Sequence, residues 1–170
     1  VWVATVRGLY RRTPSENGFR AFRPDPPGDF GSRKFFSLYE DASGRLWIGS
    51  VDRVFVLSPE RRLARTYVSG KEASALAPGE QWGVIEVTPG VFWVASYDGG
   101  ISIVDDRTRQ VRRIAIDRAD PGGLTPGDVW QFFRPGAIGH RLTSAIVTIC
   151  VSAVIALVVW EIANVSVEKR

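Results

Sequence analysis

Short apolar runs of four or five residues, parted by polar stretches rich in Gly and Pro, fill residues 1–134, and one unbroken apolar run follows at 142–160. The short runs repeat. VWVAT (1–5), LWIGS (46–50) and FWVAS (92–96) each carry Trp in second place, and Trp2, Trp47 and Trp93 stand 45 and 46 residues apart. A second run precedes the last two of these, FSLYE at 36–40 and WGVIE at 82–86, and WQFFR at 130–134 is a further copy. Phe36, Trp82 and Trp130 therefore share one position of the repeat. The turns between the two kinds of run, DASG (41–44) and VTPG (87–90), end in Gly, which supplies the positive φ of a tight reversal.

A third run follows each Trp run, GLYR (8–11), VFVL (54–57) and ISIV (101–104), and a fourth follows after a polar turn, FRAFR (19–23), LARTY (63–67) and VRRIA (111–115). Such short segments between tight turns are strands, and four of them per repeat of about 46 residues is the arithmetic of a β-propeller blade. Residues 36–67 and 82–115 make two whole blades, residues 1–23 lack an innermost strand, and 130–134 opens another. The expected fold is all-β, a partial propeller of about three four-stranded antiparallel blades, unclosed because closure needs at least four. In it the Trp strand is inner-to-middle, and its indole fills the wedge between neighbouring sheets. The fourth strand alternates apolar and basic residues, which predicts a solvated Arg face.

The run LTSAIVTICVSAVIALVVW holds nineteen residues without a charge. As a helix it spans about 28 Å, close to the hydrocarbon thickness of a bilayer, and predicts a transmembrane helix over 142–160. Residues 135–141 are then a linker and 161–170 a juxtamembrane tail. Trp160 suits the headgroup level, and the hydroxyls of Thr143, Ser144, Thr148 and Ser152 bond back to helix carbonyls. Ser144, Thr148, Ser152 and Ala156 fall at intervals of four, a stripe of small side chains that predicts a helix-packing seam in a homodimer. Arg134 and Arg141 on one side balance Lys169 and Arg170 on the other, so charge does not set the sidedness.

Composition narrows the chemistry. Apolar residues are 45% and charged residues 24%, an ordinary globular balance, and a net charge of +4 does not call for nucleic acid. A single Cys, Cys150, excludes an intrachain disulfide framework, and a single His, His140, removes most metal and triad chemistry. No catalytic set, metal site or cofactor motif is present: there is no phosphate loop and no nucleophile elbow. Glu40, Asp41 and Glu86 recur at the inner turn, where turn chemistry and strand-end solvation account for them. The loops over 24–34, 69–81 and 117–128 are polar, Gly- and Pro-rich and unequal in length, as a recognition face requires. The chain has no Met, even at position 1, as expected of a piece of a longer protein or a processed one.

The unit formed by an aromatic-led strand ending in Glu, a Gly turn, and Leu46-Trp47-Ile48-Gly49-Ser50 resembles the two-component-regulator propeller repeat. Asp98-Gly99-Gly100-Ile101 is similar to that family's following strand, and the 120–129 loop to its connector between blades. The resemblance covers residues 1–134. It implies a membrane-anchored extracytoplasmic ligand-sensing region of a bacterial signal-transduction receptor, single-pass in the inner membrane with the propeller in the periplasm. Its partners would be a periplasmic ligand, a glycan or small molecule, together with membrane lipid and a second copy of the chain. Kinase or cyclase activity would lie in an output module absent from this chain. After Arg134 the family pattern breaks off, so a fragment or a frame change near residue 135 is expected. The other readings are a non-catalytic propeller scaffold for protein–protein interaction, and a polysaccharide-active enzyme, for which no carboxylate pair is identifiable.

Overall fold

A computed structural model describes residues 1–27, 30, 33–97 and 99–114, with the backbone of 147 and 148. Its strands are β1 (Trp2–Thr5), β2 (Gly8–Arg11), β3 (Arg20–Phe22), β4 (Phe35–Glu40), β5 (Leu46–Ser50), β6 (Arg53–Leu57), β7 (Leu63–Val68), β8 (Gln81–Thr88), β9 (Val91–Ser96), β10 (Gly100–Asp105), β11 (Gln110–Ile114) and β12 (Val147–Thr148). They form three four-stranded sheets, ordered β12-β1-β2-β3, β4-β5-β6-β7 and β8-β9-β10-β11. The second and third are antiparallel meanders, and the sheets do not close into a ring. This is a partial propeller.

The turn chemistry read from sequence operates at Asp41. Its Oδ1 accepts the N–H groups of Ser43 (2.9 Å) and Arg45 (3.0 Å), and Gly44 follows with φ 77°. At the matching turn of the third sheet Gly90 takes φ 82°. The two whole sheets share one register: Tyr39 pairs Trp47 and Trp47 pairs Val56, while Ile85 pairs Trp93 and Trp93 pairs Ile103. Both inner strands carry a bulge at the same place, between Phe35 and Ser37 in β4 and between Gln81 and Gly83 in β8. The bulged residues are Phe36 and Trp82.

Alternation along β5 explains where the core sits. Leu46 and Ile48 face the first sheet, in a cluster with Trp2, Leu9, Phe35, Phe55 and Leu57. Trp47 faces the third sheet, in a cluster with Val54, Val56, Leu76, Phe92, Val94 and Val104. A strand buried on both faces reads as a continuous apolar run rather than an alternating one, which is how LWIGS reads. At Gly49 the second sheet comes close to the third, since a Cβ there would run into the Gln81 carbonyl of β8 as well as the Ser37 hydroxyl of its own sheet.

The first sheet departs from the expected all-antiparallel form. Its inner position is taken by β12, which runs parallel to β1 with Val3 opposite Val147 and Ala4 opposite Thr148. An inner edge lacking its own strand offers unpaired N–H and C=O groups as a template, and β12 lies along it. Those two residues fall within the expected helix 142–160; the remainder of that span, with Ser144, Ser152 and Ala156, lies outside the described residues. So do the linker 135–141, the tail 161–170 and the strand 130–134 with Trp130. Among the described residues no helix is long and apolar enough to cross a membrane.

Candidate functional site

Two constellations stand out, one between the outer parts of the second and third sheets and one at the loop ends of the inner strands.

The first is built around Trp47. Its ring lies between Phe92 of the third sheet (centroids 3.8 Å apart, planes at 24°) and Tyr67 of its own sheet (5.8 Å, 9°). Its Nε1–H donates to Asp41 Oδ2 at 2.9 Å. The Arg45 guanidinium lies 5.6 Å from the Trp47 centroid and 5.8 Å from that of Phe92. Arg45 also joins the sheets by charge: its Nε donates to Asp41 Oδ2 at 2.8 Å and its Nη1 to Asp106 Oδ2. On the other Asp106 oxygen converge Arg65 Nη1 and the Tyr67 hydroxyl, and Arg65 Nη1 donates again to the Asp106 carbonyl at 2.8 Å. One buried carboxylate on the third sheet thus gathers three donors from the second.

The titration behaviour follows. Burial works to raise the Asp106 pKa, but the Tyr67 hydroxyl and the two guanidinium groups outweigh it and hold the carboxyl below its ordinary range. Burial, reinforced by the Asp106 carboxylate, pushes the Tyr67 phenol up to about 12. The hub is a charged lock between blades.

Trp2 holds the corresponding wedge position one repeat earlier, with its own set of contacts. It meets Phe22 of the third strand of its sheet edge to face (4.9 Å, 89°), and Arg61 of the second sheet lies 5.5 Å from its centroid. Arg61 Nη1 donates to the Gly44 carbonyl at 2.7 Å and Nη2 to Glu40 Oε1 at 2.6 Å. Trp93 is partly buried beside Ala95 and Ile101.

The second constellation lies where the 24–34 and 69–81 loops deliver the chain into β4 and β8; the 117–128 loop lies outside the described residues. The two bulge residues stack, Phe36 on Trp82 (5.9 Å, 21°), and Trp82 in turn meets Tyr97 (4.7 Å, 31°). Tyr97 is half exposed, Trp82 partly buried and Phe36 buried. Glu80 fixes the pair: its Oε2 accepts the Trp82 indole N–H at 2.9 Å and its carbonyl the Tyr97 N–H at 2.9 Å. On the β5–β6 turn at the same end, Asp52 pairs with Arg53 (2.8 Å) and Arg33 (3.0 Å). The hydrogen bonds from Arg53 lead in holding the Asp52 carboxyl below its usual range, against its partial burial. Among the described residues no group of three His, Cys, Asp or Glu side chains converges as a metal site; His140 and Cys150 lie outside them.

Residues 29–52 match the family model described as the two component regulator propeller. The chain carries a two-component regulator propeller repeat. The matched repeat takes in β4, the Asp41 turn and β5, so it delivers both Phe36 to the loop face and Trp47 to the wedge. A comparison with curated proteins gives no match.

Sequence reasoning left the fourth-strand arginines on a solvated face, and two of them are elsewhere. Arg65 closes on Asp106, while Arg113 donates to the carbonyls of Ala75 and Gly70 at 2.8 Å each and to that of Glu72. Carbonyls and a carboxylate brought near by the adjoining loop and sheet outcompete water for a guanidinium fork. Asp106 was missed as a hub because its partners are 61, 41 and 39 positions away.

Proposed function

We propose that this chain belongs to the extracytoplasmic ligand-sensing propeller region of a bacterial signal-transduction receptor, and that residues 142–160 hold it in the inner membrane in a state in which Val147 and Thr148 have left their pairing with β1. The propeller repeat supports the receptor class, and the nineteen-residue uncharged run supports the anchor. The observation that carries ligand sensing is the Phe36–Trp82–Tyr97 stack on the loop face, flanked by the Arg33–Asp52–Arg53 group. Ring faces held in place by Glu80 offer a stacking platform, and the neighbouring charged groups offer hydrogen bonds that orient a polar ligand. A glycan or a small ring-bearing molecule suits both.

A binding screen of the full chain in lipid nanodiscs tests the reading. Soluble oligosaccharides and ring-bearing metabolites are titrated while Trp fluorescence is followed. The expectation is a saturable change for at least one ligand, lost in the Trp82→Ala, Tyr97→Ala double variant. Alkaline phosphatase fused ahead of residue 1 should be active, and fused after residue 170 inactive. Binding that survives the double variant would remove the aromatic face from the proposal, and the opposite fusion pattern would remove the periplasmic placement.

A further inference from the structure

The outer margin of the second and third sheets holds a pocket of about 270 Å³, lined by Arg65, Thr66, Tyr67, Val68, Ser74, Leu76, Arg109 and Val111. It lies between β7 and β11, the outer strands of the two sheets, under the 69–81 loop. Its size is just below the ~300–1,000 Å³ usual for ligand sites, room for a small molecule only.

Arg109 makes this pocket different from the surrounding surface. It takes φ 62° at the β10–β11 turn, the place held by Arg61 (φ 66°) in the β6–β7 turn. Arg61 is consumed by Glu40 and the Gly44 carbonyl. The residue matching Glu40 in the third sheet is Glu86, and its oxygens are already taken, Oε1 by the N–H of Gly90 (2.9 Å) and Oε2 by that of Ala42 (3.4 Å). No hydrogen bond or ion pair joins Arg109 to any other described residue.

The charge balance is then simple. Arg45 and Arg65 are matched by Asp41 and Asp106. Among the described residues Arg109, exposed at its turn, has no acidic partner, and it borders the pocket beside the hydroxyl-bearing Thr66 and Ser74 and the apolar Leu76 and Val111. The loop that brings Ser74 and Leu76 over the pocket is clamped. Leu76 N–H donates to the Val68 carbonyl (3.0 Å), Gly70 N–H to the Leu76 carbonyl (3.1 Å), and Arg113 grips the carbonyls of Gly70 and Ala75. The unpaired Arg109 guanidinium, two hydroxyls and an apolar wall, on a loop clamped by its own hydrogen bonds, match a monoanion with a planar head and a short apolar body. The geometry points to a binding site for a small organic monocarboxylate at the rim between these two blades.

The test uses the full chain in nanodiscs, with benzoate as probe, benzamide as its neutral isostere and inorganic phosphate as a bare anion. Binding is followed by NMR chemical shifts and by calorimetry. Saturable benzoate binding is expected, with shifts centred on residues 66–68, 74–76 and 109–111, and benzamide binding at least tenfold weaker. Arg109→Gly removes the cation while Gly accepts the positive φ, so its melting temperature should hold or rise as benzoate affinity falls at least tenfold. Arg109→Lys, which keeps the charge and loses the fork, should retain measurable binding. The proposal fails if Arg109→Gly binds benzoate as wild type does, if benzoate does not saturate, or if phosphate binds as tightly as benzoate.

Discussion

Replacing Asp106 by Asn keeps the shape of the side chain and removes the charge on which three donors converge. The Asp106 side chain is 7% exposed, that of Arg45 24% and that of Arg65 31%. Deleting one partner of a fully buried ion pair costs about 3–5 kcal/mol. Here the guanidinium groups keep some access to water, and Arg45 keeps Asp41, so about 2–3 kcal/mol is the figure for Asp106→Asn. In a chain of this size that lowers the melting temperature by about 5–10 °C at pH 7. The pH dependence has a definite sign. A carboxyl whose folded pKa is depressed stabilises above its unfolded value near 4, and that stability is lost as pH falls through the folded value. Wild type should therefore lose its advantage over Asp106→Asn below about pH 4. Tyr67 acts at the other end: its folded pKa is raised to about 12, so its contribution is complete below the unfolded value near 10 and fades as pH rises towards 12. Thermal unfolding by circular dichroism across pH 3–11 for wild type, Asp106→Asn and Tyr67→Phe measures all of this. Equal melting temperatures at pH 7, or an acid slope that Asp106→Asn leaves intact, would refute the lock between blades.

Trp47→Phe should cost about 1–2 kcal/mol through the lost Asp41 hydrogen bond and a smaller ring, and Trp47→Ala about 3–5 kcal/mol through the cavity, both readable by urea titration. Gly49→Ala should destabilise by about 1–3 kcal/mol because the neighbouring inner strand has no room to move, whereas Ala95→Gly at the same repeat position should cost about 0.5–1 kcal/mol. Ser152→Leu with Ala156→Leu should weaken self-association in a bacterial membrane two-hybrid assay, and an unchanged signal would retire the small-residue seam.

What was legible in the sequence was whatever repeats at short range. LWIGS and FWVAS announce strands buried on both faces, and the Gly turns announce hairpins, because hairpin geometry is settled within a few residues. Phe36 and Trp82 could be matched by position, yet the stack of Phe36 on Trp82 forms at two bulges that no apolar pattern marks. The Asp41 carboxylate was correctly placed in turn chemistry, while its second role, receiving the Trp47 indole and Arg45, needed the tertiary fold. The fourth-strand arginines misled for the same reason. Alternation identifies which side chains leave the core, and cannot say that a neighbouring sheet will bring Asp106, or a loop its carbonyls, to meet them. The parallel β12 beside β1 was illegible because a vacant edge pairs through backbone groups that every sequence carries.

The central claim is that successive Trp-bearing sheets pack on one another through equivalent wedges. Nuclear Overhauser contacts from the indole protons of Trp47 and Trp2, assigned by single Trp→Phe variants, test it most directly. The expected result is contact of Trp47 with the rings of Phe92 and Tyr67, and of Trp2 with the ring of Phe22 and the side chain of Arg61. Absence of the Trp47–Phe92 contact, or a Trp2 indole surrounded by water, would contradict it.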